Sequence, residues 1–342
     1  MTTICVTHPR YIEHDLPGHP EHAGRIRAVW RALDESGLAQ RMNTAEASMV
    51  DLDAILAVHT PAYLDLLQRV SAQERTVHLD GDTYAGPDSF EIARLSAGGV
   101  VDTVAAVLSG KADNGLAAVR PPGHHAMPDH GMGFCLLGNV GIAARYAQKQ
   151  FDVERILIVD YDVHHGNGTE AMFYDDPSVL FISTHQYPLY PGSGALRDTG
   201  SGTGQGYTIN IPMPAGCGDQ NYAAVFDQII WKAAERFQPQ FVIVSAGFDA
   251  HWADPLAGMR LSLNGYAHLS SECLRMARQF CGGKIVFVME GGYNLDALGG
   301  GVSNSARILL GDAPVDPLGP NKRAEPDITA LLGALKQLHM LS

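Results

Sequence analysis

Short apolar runs recur along the chain, each bounded by polar residues or glycine. Six such runs are found at residues 3–6, 116–119, 156–159, 179–183, 241–244 and 285–289. Strands that are buried on both faces of a sheet have this unbroken apolar composition. The pattern therefore predicts the strands of a parallel sheet that is covered by helices.

Helical periodicity lies between these runs and predicts helices over residues 88–110, 219–237 and 262–281. Asp88 is expected to cap the first helix, with Glu91 three residues later completing a capping box. Alternation of strands and helices indicates an α/β fold with a central parallel sheet.

No linker or internal repeat divides the chain, so one domain is predicted over residues 1–342. Only residues 311–342 form a tail with linker-like composition, in which a short helix is expected at 328–338.

Composition and charge narrow the functional classes. Apolar residues make up 46% of the 342 residues, which excludes disorder. The 24 basic and 37 acidic residues give a net charge of −13, which argues against nucleic-acid binding. Five scattered cysteines without CxxC spacing indicate reduced thiols. With no signal-peptide pattern and no long apolar run, a cytoplasmic protein without a membrane segment is predicted.

Unusual polar residues follow four of the predicted strands, in the segments RPPGHH, DYDVHHGNG, SAGFD and EGGY. Taken singly, an aspartate after a strand is more often a helix cap, and a lone histidine is more often structural. Ligands of open α/β sheets, however, bind beyond the carboxyl ends of the strands. Four such segments together therefore predict a functional site at this edge.

Asp162 and His164 can reach one metal ion, because residues i and i+2 at a strand exit project to the same side. Asp249 can supply a third ligand from another strand. Three nitrogen and oxygen ligands with an open position are typical of catalytic zinc, and Fe(II) or Co(II) could substitute. His124 and His125 suit proton transfer, and Tyr293 could donate to an oxyanion. The set predicts metal-assisted amide hydrolysis.

The segments RPPGHHA, GFC, DYDVHHGNGT, SAGFDAHWADPLAG and EGGYN, in this order, resemble the zinc-dependent histone deacetylase family. The resemblance extends from about His14 to Ile308, and the GNG and EGGY segments resemble its class II and bacterial acetoin-utilisation and acetylpolyamine branch. It implies an arginase-like α/β fold, one Zn²⁺ per subunit and hydrolysis of an acyl amide.

The resemblance also implies roles for single residues. Asp162, His164 and Asp249 would bind zinc, and His125 would be the general base for the attacking water. His124, oriented by Asp160, would assist it, and Tyr293 would stabilise the oxyanion. The expected substrate contacts are the carbonyl of Gly133, the tunnel walls Phe134 and Tyr190, and the rim residue Asp82. Structural K⁺ is expected near Asp160, Asp162, His164, Ser183 and Thr184, with a second monovalent cation near Phe173 and Val179.

Three positions depart from parts of the family. Asn167 stands where class I members carry an aspartate, as it does in class II. Tyr190 replaces the usual tunnel phenylalanine, and its hydroxyl could tune the polarity or the chain-length preference of the tunnel. Leu256, a fifth expected substrate contact, stands where the acetylspermidine-selective branch carries an acidic residue, which disfavours a dedicated polyamine enzyme.

Other functions stay open at this point. A binuclear ureohydrolase needs carboxylates where this chain has Gly166 and His251, so a single metal is favoured. A catalytically silent protein that binds acylated ligands would usually have lost a site residue. The substrate could be an acyl-lysine, an acetylpolyamine or another small amide, and the subunit could form a homo-oligomer.

Overall fold

The computed structural model describes residues 2–341, and its centre is an eight-stranded sheet in which all neighbouring strands run parallel. Its strands are β1 (Thr3–Thr7), β2 (Asn43–Glu46), β5 (Asn114–Ala117), β6 (Ile156–Asp160), β7 (Val179–Gln186), β8 (Thr208–Met213), β9 (Phe241–Ala246) and β10 (Ile285–Met289). Their order in the sheet is β2-β1-β5-β10-β9-β6-β7-β8. Two short strands, β3 (Val77–His78) and β4 (Tyr84–Ala85), form a separate antiparallel pair.

All six predicted runs contribute strands to this sheet, whereas its two edge strands were not predicted. β2 has the polar sequence NTAE and is largely exposed, so it carries no apolar signal. β8 contains Pro212, a residue that sheets accept mainly at their edges. The α/β prediction is therefore confirmed, with the sheet wider than the apolar pattern indicates.

Helices surround the sheet and cover it. They are α1 (Gly24–Glu35), α2 (Leu52–Ile55), α3 (Pro61–Ser71), α4 (Ser89–Leu108), α5 (Asn139–Phe151), α6 (Asn167–Phe173), α7 (Asp219–Val225), α8 (Trp231–Phe237), α9 (Leu263–Phe280), α10 (Leu295–Leu310) and α11 (Thr329–His339). A π-helical segment, Phe226–Ile230, joins α7 to α8, so the predicted helix over 219–237 is one continuous rod. No helix within residues 2–341 is both long and apolar enough to cross a membrane.

The predicted capping box at α4 is wrong. Asp88 does occupy the N-cap position, but its backbone is left-handed (φ 61°) and its side chain makes no capping hydrogen bond. Glu91 instead forms an ion pair with Arg10 at 3.0 Å. At α9, by contrast, the Ser262 side chain accepts a hydrogen bond from the Gly265 amide, as an N-cap serine should.

The C-terminal tail packs onto the fold despite its linker-like composition. The Trp252 indole donates to the carbonyl of Gly319 at 2.9 Å, and Arg260 donates to that of Ala324 at 2.6 Å. In the following helix α11, the Leu335 side chain is buried in the hydrophobic core, in the same cluster as Cys5 of β1. The tail therefore lies across the loop that follows β9.

Candidate active site

The four strands that precede the polar segments are neighbours in the sheet, in the order β5-β10-β9-β6. Their carboxyl ends therefore meet at one edge, where the loops after them begin at Ala118, Glu290, Gly247 and Tyr161. This adjacency follows from the crossovers of the chain and brings together residues more than 160 positions apart.

Asp162, His164 and Asp249 form a compact group of possible metal ligands at this edge. One ligand atom from each residue lies within 4.8 Å of the other two. Nδ1 of His164 is 3.2 Å from Oδ1 of Asp162 and 3.2 Å from Oδ2 of Asp249. All three residues are buried, so water solvates their charged groups poorly.

The surroundings of this group fit a bound cation. Oδ2 of Asp249 is buried and makes no hydrogen bond of acceptable geometry, although Nδ1 of His164 lies 3.2 Å away, and this state is costly for a carboxylate unless a cation lies nearby. Two glycines make room for the carboxylates. A Cβ at Gly247 would lie 2.0 Å from Oδ2 of Asp162, and one at Gly291 would lie 2.1 Å from Oδ2 of Asp249. Two oxygen donors and one imidazole suit zinc as well as Fe(II) or Co(II).

His124 lies beside two buried carboxylates. Its Nδ1 is 3.0 Å from Oδ2 of Asp160, and its Nε2 is 3.8 Å from Oδ1 of Asp162. Although burial opposes a charged ring, Asp162 and Asp160 raise the pKa of His124 to about 10. This imidazole is therefore held in its protonated form near neutral pH.

His125 has a neutral partner instead. Its Nδ1 is 2.7 Å from Oδ1 of Asn167, whose amide nitrogen faces the sulfur atoms of Met127 and Met132 at 3.2 Å. Burial and the charge of His124 lower the pKa of His125 well below its usual value of 6.5. With Nδ1 donating to Asn167, the neutral ring leaves Nε2 able to accept a proton.

Tyr293 follows the glycine pair after β10. The Arg25 guanidinium lies over its ring, 5.0 Å from the centroid, and the Phe134 ring meets it edge-on at 5.8 Å. Burial raises the pKa of Tyr293 well above 10, so its hydroxyl keeps the proton that it could donate.

A cavity of about 240 Å³ leads to this group from the surface. Five of its lining residues are the predicted substrate contacts Asp82, Gly133, Phe134, Tyr190 and Leu256. The lining also contains the predicted metal ligand His164, together with His125 and Tyr293. Tyr190 stands edge-on to His125, with ring centroids 5.3 Å apart. The structure thus brings the predicted substrate contacts to one cavity with His125, His164 and Tyr293, whereas His124 and Asp160 lie behind its lining residues.

Three of the residues predicted to hold potassium lie on the neighbouring strands β6 and β7, namely Asp160, Ser183 and Thr184, while Asp162 and His164 follow β6. Asp160 of β6 is in register with Ser183 of β7, and the Thr184 hydroxyl donates to the Asp160 carbonyl at 3.4 Å. The Ser183 hydroxyl is 2.9 Å from Nδ1 of His185, within hydrogen-bonding distance. Phe173 and Val179 are buried where α6 ends and β7 begins. Potassium at either place stays a prediction.

Sequence reasoning missed two carboxylates that support the site. Oδ2 of Asp254 accepts hydrogen bonds from the amides of Tyr293 and Asn294 at 2.7 and 3.1 Å. Glu290 is buried beside the histidine pair, and burial raises its pKa to about 7. The position of Glu290 directly after β10 was the available signal, while the role of Asp254 depends on a contact across 39 residues.

Known proteins share this architecture. The chain matches the histone deacetylase domain model over residues 19–309. It is 39% identical to histone deacetylase 10, chloroplastic, of Oryza sativa subsp. japonica, covering 96% of this chain and 79% of that protein. It is 42% identical to a probable deacetylase of Archaeoglobus fulgidus, with coverage of 86% and 82%.

Among solved structures, the crystal structure of the HDA15 HD domain superposes with a TM-score of 0.89 and 35% identity. The match covers 99% of this chain and 94% of that one, and the parallel sheet flanked by helices is the arginase-like deacetylase fold. The chain belongs to the histone deacetylase family of deacetylases and amidohydrolases.

Proposed function

We propose that this protein is a zinc-dependent deacetylase that cleaves the acyl amide of an acyl-lysine or a related acylated amine. One observation carries the proposal: a single cavity is lined by a metal-ligand candidate, a neutral histidine and a protonated tyrosine, His164, His125 and Tyr293. Those are the groups that hydrolysis of an unactivated amide requires.

Asp162, His164 and Asp249 would hold the metal, and zinc fits best because catalytic zinc sites keep three protein ligands and an open position. When bound there, zinc supplies Lewis acidity toward the acyl carbonyl and a lowered pKa for water. Fe(II) or Co(II) could occupy the same ligands.

The chain's own residues move the protons. His125 takes a proton from the attacking water while a C–O bond forms to the acyl carbon. The Tyr293 hydroxyl donates a hydrogen bond to the resulting tetrahedral oxyanion. When the C–N bond breaks, the amine leaves with a proton supplied by the histidine pair, for which protonated His124 is suited. The products are a carboxylate and an amine.

The cavity walls favour a narrow, largely apolar stem. Phe134, Tyr190, Gly133 and Asp82 line it, and the Gly133 carbonyl would accept a hydrogen bond from the amide N–H of the substrate. Leu256 adds an apolar wall where an acidic residue would favour a polyamine. An acyl-lysine substrate is therefore proposed ahead of an acetylpolyamine. A ureohydrolase reaction is disfavoured because Gly166 and His251 offer no carboxylate for a second metal.

The deciding experiment is turnover by zinc-loaded protein on acetyl-lysine and trifluoroacetyl-lysine peptides, N8-acetylspermidine and acetylputrescine. Faster release of acyl groups from the peptides, inhibited by a linear hydroxamate, is the expected result. Preference for the polyamines would reassign the substrate. Zinc-loaded protein that neither cleaves any of these amides nor binds the hydroxamate at micromolar concentration would contradict the proposed function.

We also propose that the protein binds structural K⁺, lies in the cytoplasm and forms a homo-oligomer. Neighbouring strand residues Asp160 and Ser183 support the first. The location rests on sequence composition only, and two plant relatives are named chloroplastic.

A further inference from the structure

The carboxylate of Glu290 connects the end of β10 to the loop that carries the histidine pair. Its Oε2 accepts hydrogen bonds from the backbone amides of Gly123 at 2.7 Å and His124 at 3.2 Å. The Ser245 hydroxyl donates to Oε1 at 3.3 Å. Glu290 is completely buried, so these three donors replace the water that a carboxylate would otherwise keep.

The main chain that follows Glu290 is tied to the other parts of the site. The Gly291 amide donates to Oδ2 of Asp162 at 2.8 Å, and the Gly292 carbonyl accepts from Arg25 at 2.8 Å. Tyr293 comes next in the chain. The backbone of residues 290–292 therefore contacts a metal-ligand candidate and continues directly into the predicted oxyanion donor. The Glu290 side chain contacts the loop that carries the histidine pair.

The loop that carries the histidine pair, residues 118–127, also packs closely against a neighbouring helix. A Cβ at Gly123 would lie 2.6 Å from the Asn139 amide nitrogen, so the loop is already pressed against the start of α5. The Glu290 carboxylate accepts hydrogen bonds from two amides of the same loop. Glu290 itself lines no part of the cavity and is not one of the three grouped metal ligands, so it does not act on substrate directly.

We propose that Glu290 is a positioning residue, which sets the placement of His124 and His125 relative to Asp162 and Tyr293 by accepting the Gly123 and His124 amide hydrogens. This inference rests on the proposed function for its catalytic consequence. The hydrogen bonds themselves can be tested without any substrate.

The test compares Glu290→Gln with Glu290→Ala. Glutamine keeps an oxygen acceptor for both amides, and its NH₂ group can donate to Ser245, whose hydroxyl can rotate to accept. Alanine leaves two buried amides unpaired. We expect kcat to fall about 10²-fold in Glu290→Ala, the scale for a catalytic group displaced by about 1 Å. In Glu290→Gln we expect kcat within about threefold of the wild type, because a neutral acceptor is weaker but correctly placed.

Bound zinc and KM should change little in both variants, since neither the metal ligands nor the predicted substrate contacts are replaced. The matched control is Glu272→Ala, which removes a carboxylate that bonds to Trp231 and Arg275 away from the cavity. Its kcat should equal the wild-type value. Equal losses in Glu290→Gln and Glu290→Ala, or an unchanged kcat in Glu290→Ala, would overturn the inference.

Hydrogen exchange provides the second readout and keeps the inference testable if no substrate is found or if Glu290→Ala does not fold. Amides in a peptide covering residues 118–127 should be protected in the wild type and in Glu290→Gln, and should exchange faster in a folded Glu290→Ala. Fast exchange of the Gly123 and His124 amides in the wild type would overturn the inference whatever the enzyme's activity.

Discussion

At the scale of residues, two adjacent histidines are made chemically different by their partners. Asp160 is a charged partner and helps to hold His124 protonated, whereas Asn167 is neutral and leaves His125 uncharged. A carboxylate at position 167 would raise the pKa of His125, as Asp160 helps to raise that of His124. The neutral amide therefore keeps the two rings further apart in pKa than a second carboxylate would.

The Tyr293 hydroxyl is the group proposed to stabilise the oxyanion. Replacement of Tyr293 with Phe should leave zinc content unchanged and lower kcat by about 10²-fold or more, the scale for losing an oxyanion donor. Metal analysis and steady-state kinetics on the best acyl-peptide measure both quantities. The matched control is Tyr266→Phe, because the hydroxyl of Tyr266 is buried without a hydrogen-bond partner. A normal kcat in Tyr293→Phe would remove this residue from the mechanism.

At the scale of elements, the tail contributes a cap to a helix far away in the sequence. The Glu325 carboxylate accepts hydrogen bonds from the amides of Gly218, Gln220 and Asn221 at 3.0, 3.0 and 2.8 Å. These amides lie at the N-terminus of α7, where no intrahelical acceptor exists and where negative charge is favoured. The cap fastens residues 311–327 to the rod formed by α7 and α8.

Glu325→Ala should therefore lower the free energy of unfolding by about 1–2 kcal/mol, the usual cost of losing an N-terminal cap. Urea denaturation followed by circular dichroism measures this difference. Glu154→Ala is the control, because the Glu154 side chain is 76% exposed and lies 3.7 Å from Arg155 in a surface ion pair, which contributes little. Equal unfolding midpoints for the two variants would show that Glu325 does not support the helix.

At the scale of the whole molecule, a buried ion-pair network joins the N-terminal segment to the sheet. Glu21 accepts from Arg25 at 2.9 Å and from Arg120 at 2.7 and 2.8 Å, and all three side chains are fully buried. Arg25 also bonds to the Gly292 carbonyl beside Tyr293. Removal of one member of the network leaves a buried charge without a partner. The resulting loss of folding stability exceeds what the intact network contributes relative to an apolar core.

Glu21→Gln should lower the free energy of unfolding at pH 7 by about 3–5 kcal/mol. The loss should shrink in acid. Burial alone would raise the pKa of Glu21, but Arg120 and Arg25 lower it to about 2, below its ordinary 4.5. A depressed pKa stabilises the fold above pH 4.5, and this contribution is lost as the pH falls toward 2.

Denaturant unfolding of both proteins at pH 7 and pH 3 tests this prediction. The exposed pair of Glu13 with Arg10 provides the control, Glu13→Gln, for which no large change is expected at either pH. A Glu21→Gln deficit that is as large at pH 3 as at pH 7 would mean that the carboxylate is not the titrating group.

The sequence by itself determined the α/β class, six of the eight strands of the main sheet and the residues at the four strand ends. Strands buried on both faces must be apolar without interruption, and the polar residues directly after them must lie at the sheet edge. For that reason Asp162, His164 and Asp249 could be grouped from the sequence, and the order of the motifs indicated the family.

The tertiary structure decided the rest. The edge strands β2 and β8 lack an unbroken apolar run, and Asp88 fails as a cap because its backbone is left-handed. The contact of Glu290 with Gly123 joins residues 167 positions apart, and that of Glu325 with Gly218 spans 107. Only the sheet order β5-β10-β9-β6 and the packing of the tail bring these groups together, because through-space contacts leave no local pattern in the chain.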